Sequence, residues 1–308
     1  MSVLSDRHFH NEAAAYRFVE TRIWPEGPVC PHCGGTDRNS PMKGKSTRIG
    51  AYKCYDCRKP FTVKIGTIFE SSHVKMHLWL QAIFLIASSK KGISANQLHR
   101  TLGVTLKTAW FMAHRIREAM RDGSLDPIGG AGKVVEADET YYGPKAKVIA
   151  RTKHGKPSHS SQRPVIALVE RGGNVRSFYV AQANKENVTA IVNDNIARES
   201  VLYTDESPLY RGMDKVFSKH ETVKHSAGEY VRGEVHSNTV ESYFSIFKRG
   251  MRGTYQHCKE KHLHRYLAEF DFRHNARVAL GVNDETRAAR ILAGVVGKRL
   301  TYEKAQAW

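Results

Sequence analysis

The sequence predicts a multi-domain α/β protein in which a zinc ribbon and a helix-turn-helix precede a sheet with helices on its faces. Three observations carry that expectation. Two CxxC pairs lie near the N-terminus, three helical patterns follow up to about residue 120, and the remainder opens with strand-like runs before mixing strand and helix. The expected division is 1–70 for an N-terminal segment and zinc ribbon, 71–125 for the helix-turn-helix, and 126–132 for a linker. Residues 133–280 then form the α/β domain and 281–308 a C-terminal helical tail.

The chain has 308 residues, 41% of them hydrophobic, enough to bury a sizeable core. Lys and Arg number 48 against 30 Asp and Glu, a formal charge of +18, which points to a polyanionic partner. A membrane is a poor candidate. The longest apolar stretch, Leu78 to Ala87, contains Gln81 and falls well short of the ~20 residues a span needs. The N-terminus has acids and no apolar h-region, and no lipidation signal appears. The expectation is a soluble, cytoplasmic nucleic-acid-binding protein with no membrane partner.

The first element is the ribbon. Cys30 and Cys33, then Cys54 and Cys57 after twenty intervening residues, present two knuckles of paired thiolates, the arrangement a tetrahedral zinc ion requires. Gly34 and Gly35 supply the turn after the first knuckle, and strand-like runs at 48–53 and 60–65 flank the second. His32 sits inside a complete knuckle and reads as a bystander, and Cys258 as an ordinary thiol. The ion has a structural role, because four sulfurs leave no open coordination position.

The second element is the helix-turn-helix. Residues 71–125 carry a net charge of +6, the densest excess in the chain. Residues 76–87 read as a helix. Ser94 then caps a short helix with Gln97 three residues on, Gly103 makes the turn, and Thr105 starts a third helix from Leu106 to Met120. Lys107, Thr108, His114 and Arg115 are the candidates to meet a DNA groove. The alternative is an ordinary three-helix bundle whose charges are solvated.

The third element begins with strands at 133–142, 163–170 and 175–180, the last two joined at Gly172-Gly173, followed by a helix at 185–197 and a strand at 200–206. Asp138 and Asp205 lie at the ends of apolar runs. Glu241 opens a segment in which Val240, Tyr243, Phe244 and Phe247 form one buried helical face. Glu241 and Lys248 lie two turns apart on a neighbouring stripe. Three converging carboxylates repel one another unless divalent cations lie between them, and hard oxygen ligands select Mg²⁺ or Mn²⁺. A two-ion site suits in-line displacement at phosphorus.

Each of these residues has a second reading. Glu241 also fits position N3 of a capping box with Asn238 as N-cap, and Asp205 fits a turn cap before Pro208. Glu136, Glu139 and Glu206 are neighbouring acids, and alternation places Glu136 on the same face as Asp138. Lys248, Arg249 and Arg252 also fit a solvated helix end.

The spacing of Asp138, Asp205 and Glu241, with Lys248 seven residues further on, resembles the DDE signature of insertion-sequence transposases and retroviral integrases. The local words CPHCGG, YKCYDCRKPFTVKIGTIFE, ADETYYG, YTDES, HSNTVESYFSIFKRGMRGTYQH and LHRYLAEFDFRHNAR resemble the bacterial insertion-sequence transposases that place a zinc ribbon before an RNase H-like domain. This resemblance covers the chain from about Arg17 to Arg277. It implies an RNase H-like catalytic domain, with Asp138, Asp205 and Glu241 holding two Mg²⁺ or Mn²⁺ ions and Lys248, Arg249 and Arg252 facing transposon-end DNA. It also implies cleavage at terminal inverted repeats, strand transfer into target DNA, and at least a homodimer on double-stranded DNA at the bacterial nucleoid. In part of this family the third position is Asn; here Asn238 and Glu241 are one turn apart, and the carboxylate is the better cation ligand. The basic stretch 145–163 resembles a DNA-contacting loop, with a merely solvated loop as the alternative. Two other classes fit the same residues: a zinc-ribbon DNA-binding regulator, and a structure-specific nuclease without strand transfer.

Overall fold

The computed structural model describes residues 2–121, 123, 126–143, 162–229 and 231–301. The basic stretch 145–163 lies outside these except at its last two residues. The chain divides into two compact units, residues 1–121 with 276–308, and residues 122–275.

The first unit begins with helix α1 (Glu12–Ile23) and a small antiparallel sheet of β1 (Asn39–Pro41), β2 (Tyr52–Cys54) and β3 (Pro60–Phe61). These strands are shorter than the runs in the sequence. The ribbon is held instead by Trp24, Tyr52 and Phe61, whose ring centroids lie 5.7–5.8 Å apart, and by the cysteines they pack against.

Helix α2 (Met76–Ser88) is the spine of this unit. Met76, Trp79, Leu80, Ile83, Ile86 and Ala87 recur at helical spacing and are all buried, each large side chain contributing about 1.5–3 kcal/mol. Lys75, at its N-cap, has a side chain that cannot accept a hydrogen bond from the first-turn N–H groups. Glu12 on α1 does so instead, taking the N–H of Met76 at 2.8 Å and of His77 at 3.2 Å.

Helices α3 (Ala95–Leu102) and α4 (Leu106–Met120) form the expected helix-turn-helix. Ser94 accepts from Gln97 N at 3.1 Å, Gly103 takes φ +66° to end α3, and Thr105 accepts from Thr108 N at 3.1 Å. The last helix, Asp284–Ala293, packs on α2, and its Arg287 donates to the carbonyls of Ala87 and Ala276, each at 2.9 Å. The described residues from Ala276 to Thr301 therefore belong to this unit, whereas the sequence reading puts 276–280 in the α/β domain and makes 281–308 a separate tail.

The second unit is a five-stranded mixed sheet. Its elements are β4 (Val134–Tyr142), β5 (Arg163–Glu170), β6 (Val175–Tyr179), α5 (Lys185–Asn195), β7 (Val201–Asp205), β8 (Lys219–Val223), a small hairpin of β9 (Val231–Arg232) and β10 (Val235–His236), then α6 (Asn238–Gly250) and α7 (Leu263–Asn275). The strand order is β6-β5-β4-β7-β8; β4 to β6 are antiparallel, and β7 and β8 run parallel to β4. This is the RNase H-like arrangement, an antiparallel meander extended by parallel strands with helices on both faces.

Strand β5 explains the two layers. Val165, Ala167 and Val169 point to the face covered by α6 and α7, while Ile166 and Leu168 point to the face covered by α5. Burial on both sides makes it a continuous apolar run. Helix α6 buries Val240, Tyr243, Phe244 and Phe247 on the first face, as the periodicity predicts. Among the described residues no helix is long and apolar enough to cross a membrane.

Candidate active site

The register of the sheet sets the first two carboxylates. Glu136 pairs with Tyr203 across the parallel strands β4 and β7, so Asp138 and Asp205, each two residues further on, face the same side. On the antiparallel side Asp138 is the partner of Ala167, one of the residues packed under α6. Asp138 therefore lies on the face that α6 covers, and Glu241, in the first turns of α6, is the third acid there.

Their proximity registers in the electrostatics. Burial, then the charges of Asp205, Glu139 and Glu241, push the Asp138 carboxyl up from 3.8 to about 8, against the opposing N–H of Glu139 at 2.7 Å. Asp205 accepts the N–H of Ser207 at 3.0 Å, which turns the chain just after β7. Glu241 accepts from the Ser237 hydroxyl at 2.9 Å. The three carboxylates do not form a set with all ligand atoms within 4.8 Å of one another; among the described residues only the four cysteines do so.

The neighbouring acids have other duties. Glu136 is fully buried and accepts from Thr239 N at 2.8 Å, Val240 N at 3.0 Å, the Thr239 hydroxyl at 2.8 Å and Arg171 Nε at 2.6 Å. Glu139, facing the opposite side of β4, accepts from Tyr210 at 2.9 Å and Ser207 at 3.3 Å. Burial chiefly raises its pKa, and Asp205 adds to that. Glu206 is exposed and accepts Ser226 N at 2.9 Å.

The capping-box alternative for Glu241 fails on position. The N-cap of α6 is Ser237, so Asn238 is already the first helical residue, and the first-turn N–H groups of Thr239 and Val240 are taken by Glu136. Sequence reasoning left Glu136 as a rival ligand and missed this role. The available signal was an acid on the α6 side of β4 with no local partner.

The cationic candidates separate into two groups. Lys248 is half-buried two turns along α6 from Glu241, its Nζ 6.0 Å from the Phe244 ring, and Arg249 and Arg252 are exposed. Arg252 lies on a π-helical turn, Met251–Tyr255, that follows α6 directly. In α4, Lys107 is exposed and Thr108 half-buried at the helix start. Arg115 corrects the expectation. It is 5% exposed and donates to the carbonyls of Ile68 at 2.7 Å, Glu70 at 2.8 Å and Leu300 at 3.0 Å, so its guanidinium is spent inside the unit. His114 is buried as well.

The four cysteines fit zinc. Cys30 and Cys57 sulfurs are 3.7 Å apart, as are those of Cys33 and Cys54, and all four lie within 4.8 Å of one another. A tetrahedral ion with Zn–S near 2.3 Å places its sulfurs about 3.8 Å apart. The knuckles are thus poised to bind one zinc ion.

Comparison with known proteins agrees with this arrangement. Residues 130–275 match the ISXO2-like transposase domain and residues 10–60 the transposase zinc-ribbon domain. An uncharacterized protein in transposable element ISH50 of Halobacterium salinarum is 29% identical over 281 residues, covering 86% of this chain and 91% of that protein. The crystal structure of the Mos1 strand transfer complex aligns with 74% of each chain at 13% identity and a TM-score of 0.28, too slight a likeness to bear on the fold. With its zinc-ribbon and transposase domains both matched and in the expected order, the chain belongs to the insertion-sequence transposases that carry a zinc ribbon ahead of an ISXO2-like transposase domain.

Proposed function

We propose that this transposase binds the terminal inverted repeats of its element and catalyses metal-dependent end cleavage followed by strand transfer, with Asp138, Asp205 and Glu241 as the catalytic carboxylates. The observation that carries this reading is the crowding of like charge at Asp138, on the face it shares with Asp205 and beneath the helix of Glu241. Hard carboxylate oxygens in such a group suit Mg²⁺ or Mn²⁺. Two ions held there would supply activation of the attacking oxygen and stabilisation of the leaving oxygen.

The protein's own part is binding and orientation. In this reading Lys107 and Thr108, at the start of α4, contact the end DNA, and the zinc ribbon adds a second contact surface. Lys248, Arg249 and Arg252 supply positive charge along and just after the helix that bears Glu241, where phosphates are to be positioned. The same site serves both steps: hydrolysis frees a 3′-hydroxyl, which then attacks a target phosphodiester. Both ends must be held for that second step, so the working species is at least a homodimer on double-stranded DNA.

A strand-transfer assay with pre-cut terminal-repeat DNA and Mg²⁺ tests the reading. Joining of the 3′-hydroxyl end to target DNA is the expected outcome; cutting of intact ends with no joining of pre-cut ones would identify a nuclease instead.

A further inference from the structure

We propose that Glu136 and Glu139, the acids flanking Asp138, are positioning residues, each lashing one of the other two carboxylate-bearing elements to β4. This rests on the reading of Asp138, Asp205 and Glu241 as the metal-binding carboxylates. Successive residues of a strand face opposite sides, so two acids close to Asp138 can reach two different elements.

Glu136 reaches α6. Its carboxylate takes the main-chain N–H groups of Thr239 and Val240 and the Thr239 hydroxyl, the two residues immediately before Glu241. Its charge is matched by Arg171 at 2.6 Å, which also donates to the carbonyls of Glu234 at 2.8 Å and His236 at 3.0 Å. The chain entering α6 is therefore held at four residues, Glu234, His236, Thr239 and Val240, from a single buried carboxylate and its arginine. Ser237, the N-cap, makes no side-chain cap bond of its own and directs its hydroxyl to Glu241. The cap that an ordinary helix carries locally has been moved to the strand of Asp138.

Glu139 reaches the loop after β7. Main-chain pairing between β4 and β7 ends at Glu136–Tyr203, two residues short of both aspartates. Beyond that point Glu139 continues the link through side chains, accepting from Ser207 and the buried Tyr210. Ser207 in turn donates its N–H to Asp205. Groups that orient metal ligands in this way typically govern metal affinity by 10–100-fold.

The test is a Mn²⁺ titration of the full-length, zinc-loaded protein, read by the electron paramagnetic resonance of free Mn²⁺ and paired with binding of terminal-repeat DNA. Glu136→Gln and Glu139→Gln are expected to weaken Mn²⁺ binding by about tenfold or more while circular dichroism and DNA affinity stay at the wild-type level. Thr239→Val and Tyr210→Phe each remove one side-chain bond of these links from the partner side without altering β4, and should weaken it about threefold or more. They keep the test decisive should a glutamate variant fail to fold. Asp138→Asn, Asp205→Asn and Glu241→Gln are the reference set. If these three lose Mn²⁺ while all four tether variants bind it within twofold of wild type, positioning by Glu136 and Glu139 is overturned and the carboxylate site stands. If the reference set binds Mn²⁺ normally, the carboxylate reading itself is wrong.

Discussion

Glu136 on β4 accepts the main-chain N–H of Thr239 on α6 at 2.8 Å, so the cap of one element is supplied by another. The first unit uses the same device, with Glu12 on α1 capping α2 at Met76. In both cases the residue at the local N-cap makes no side-chain cap bond. The orphan N–H groups of a helix end must be satisfied somewhere, and satisfying them from a distance fixes the helix relative to its neighbour. At α6 the neighbour carries Asp138, which is why this contact bears on chemistry as well as on stability.

The cap on α2 predicts a purely structural effect. Glu12→Ala should lower the unfolding free energy of the first unit by about 1–2 kcal/mol, the usual cost of losing a helix cap. Chemical denaturation followed by tryptophan fluorescence reports it, since Trp79 is buried in α2. End-DNA affinity under native conditions should not change.

Lys107 and Arg115 lie on the same helix and should behave in opposite ways. Lys107→Ala is expected to weaken DNA binding and reduce the dependence of log K on log salt by about one, with no loss of stability. Arg115→Met strands three main-chain carbonyls and should cost roughly 3 kcal/mol or more in stability. Thermal melting and a salt series of binding isotherms on both variants separate the two roles.

The ribbon predicts one zinc ion per chain by elemental analysis. Cys54→Ser should lose the ion and unfold the ribbon, because its core is the metal-binding cysteines, Phe61 and the aromatics around them. A chelator strong enough to strip zinc should reproduce the loss.

A partly buried acid away from the carboxylate site gives the pH prediction. Asp271 accepts from Tyr243 at 2.5 Å and from the Ser177 hydroxyl and N–H at 2.7 and 2.9 Å, yet burial raises its pKa from 3.8 to about 6. Between those values the unfolded chain releases a proton that the folded chain retains, so this group's contribution to stability falls as pH rises from about 4 to 6 and is level above. Over that window it amounts to roughly 2–3 kcal/mol. Asp271→Asn should remove this component of the slope in denaturation curves taken across the range, and an unchanged slope would contradict the assignment.

Much of the fold was legible because its signals are local. The cysteine spacing, the Ser94 and Thr105 caps, the apolar run of β5 and the helical stripe of α6 each follow from a few adjacent residues. Strand β8, with Lys219, His220 and Glu221, was not, because an edge strand with polar residues lacks both alternation and an apolar run. Asp138, Asp205 and Glu241 stood out as acids set against apolar surroundings. The duties of Glu136, Glu139 and Arg115 depend on partners tens of residues away, and nothing in their own neighbourhood distinguishes a strut from a ligand or a DNA contact. Arg115 was misread for that reason.

The most direct test of the central claim is cleavage of terminal-repeat DNA in Mg²⁺ by wild type and by Asp138→Asn, Asp205→Asn and Glu241→Gln, each at a protein concentration that gives equal end occupancy. End binding is expected to be retained in all four, and cleavage to fall at least a thousandfold in each variant, about 4 kcal/mol of lost transition-state stabilisation. Normal cleavage by any one of the three would contradict that claim.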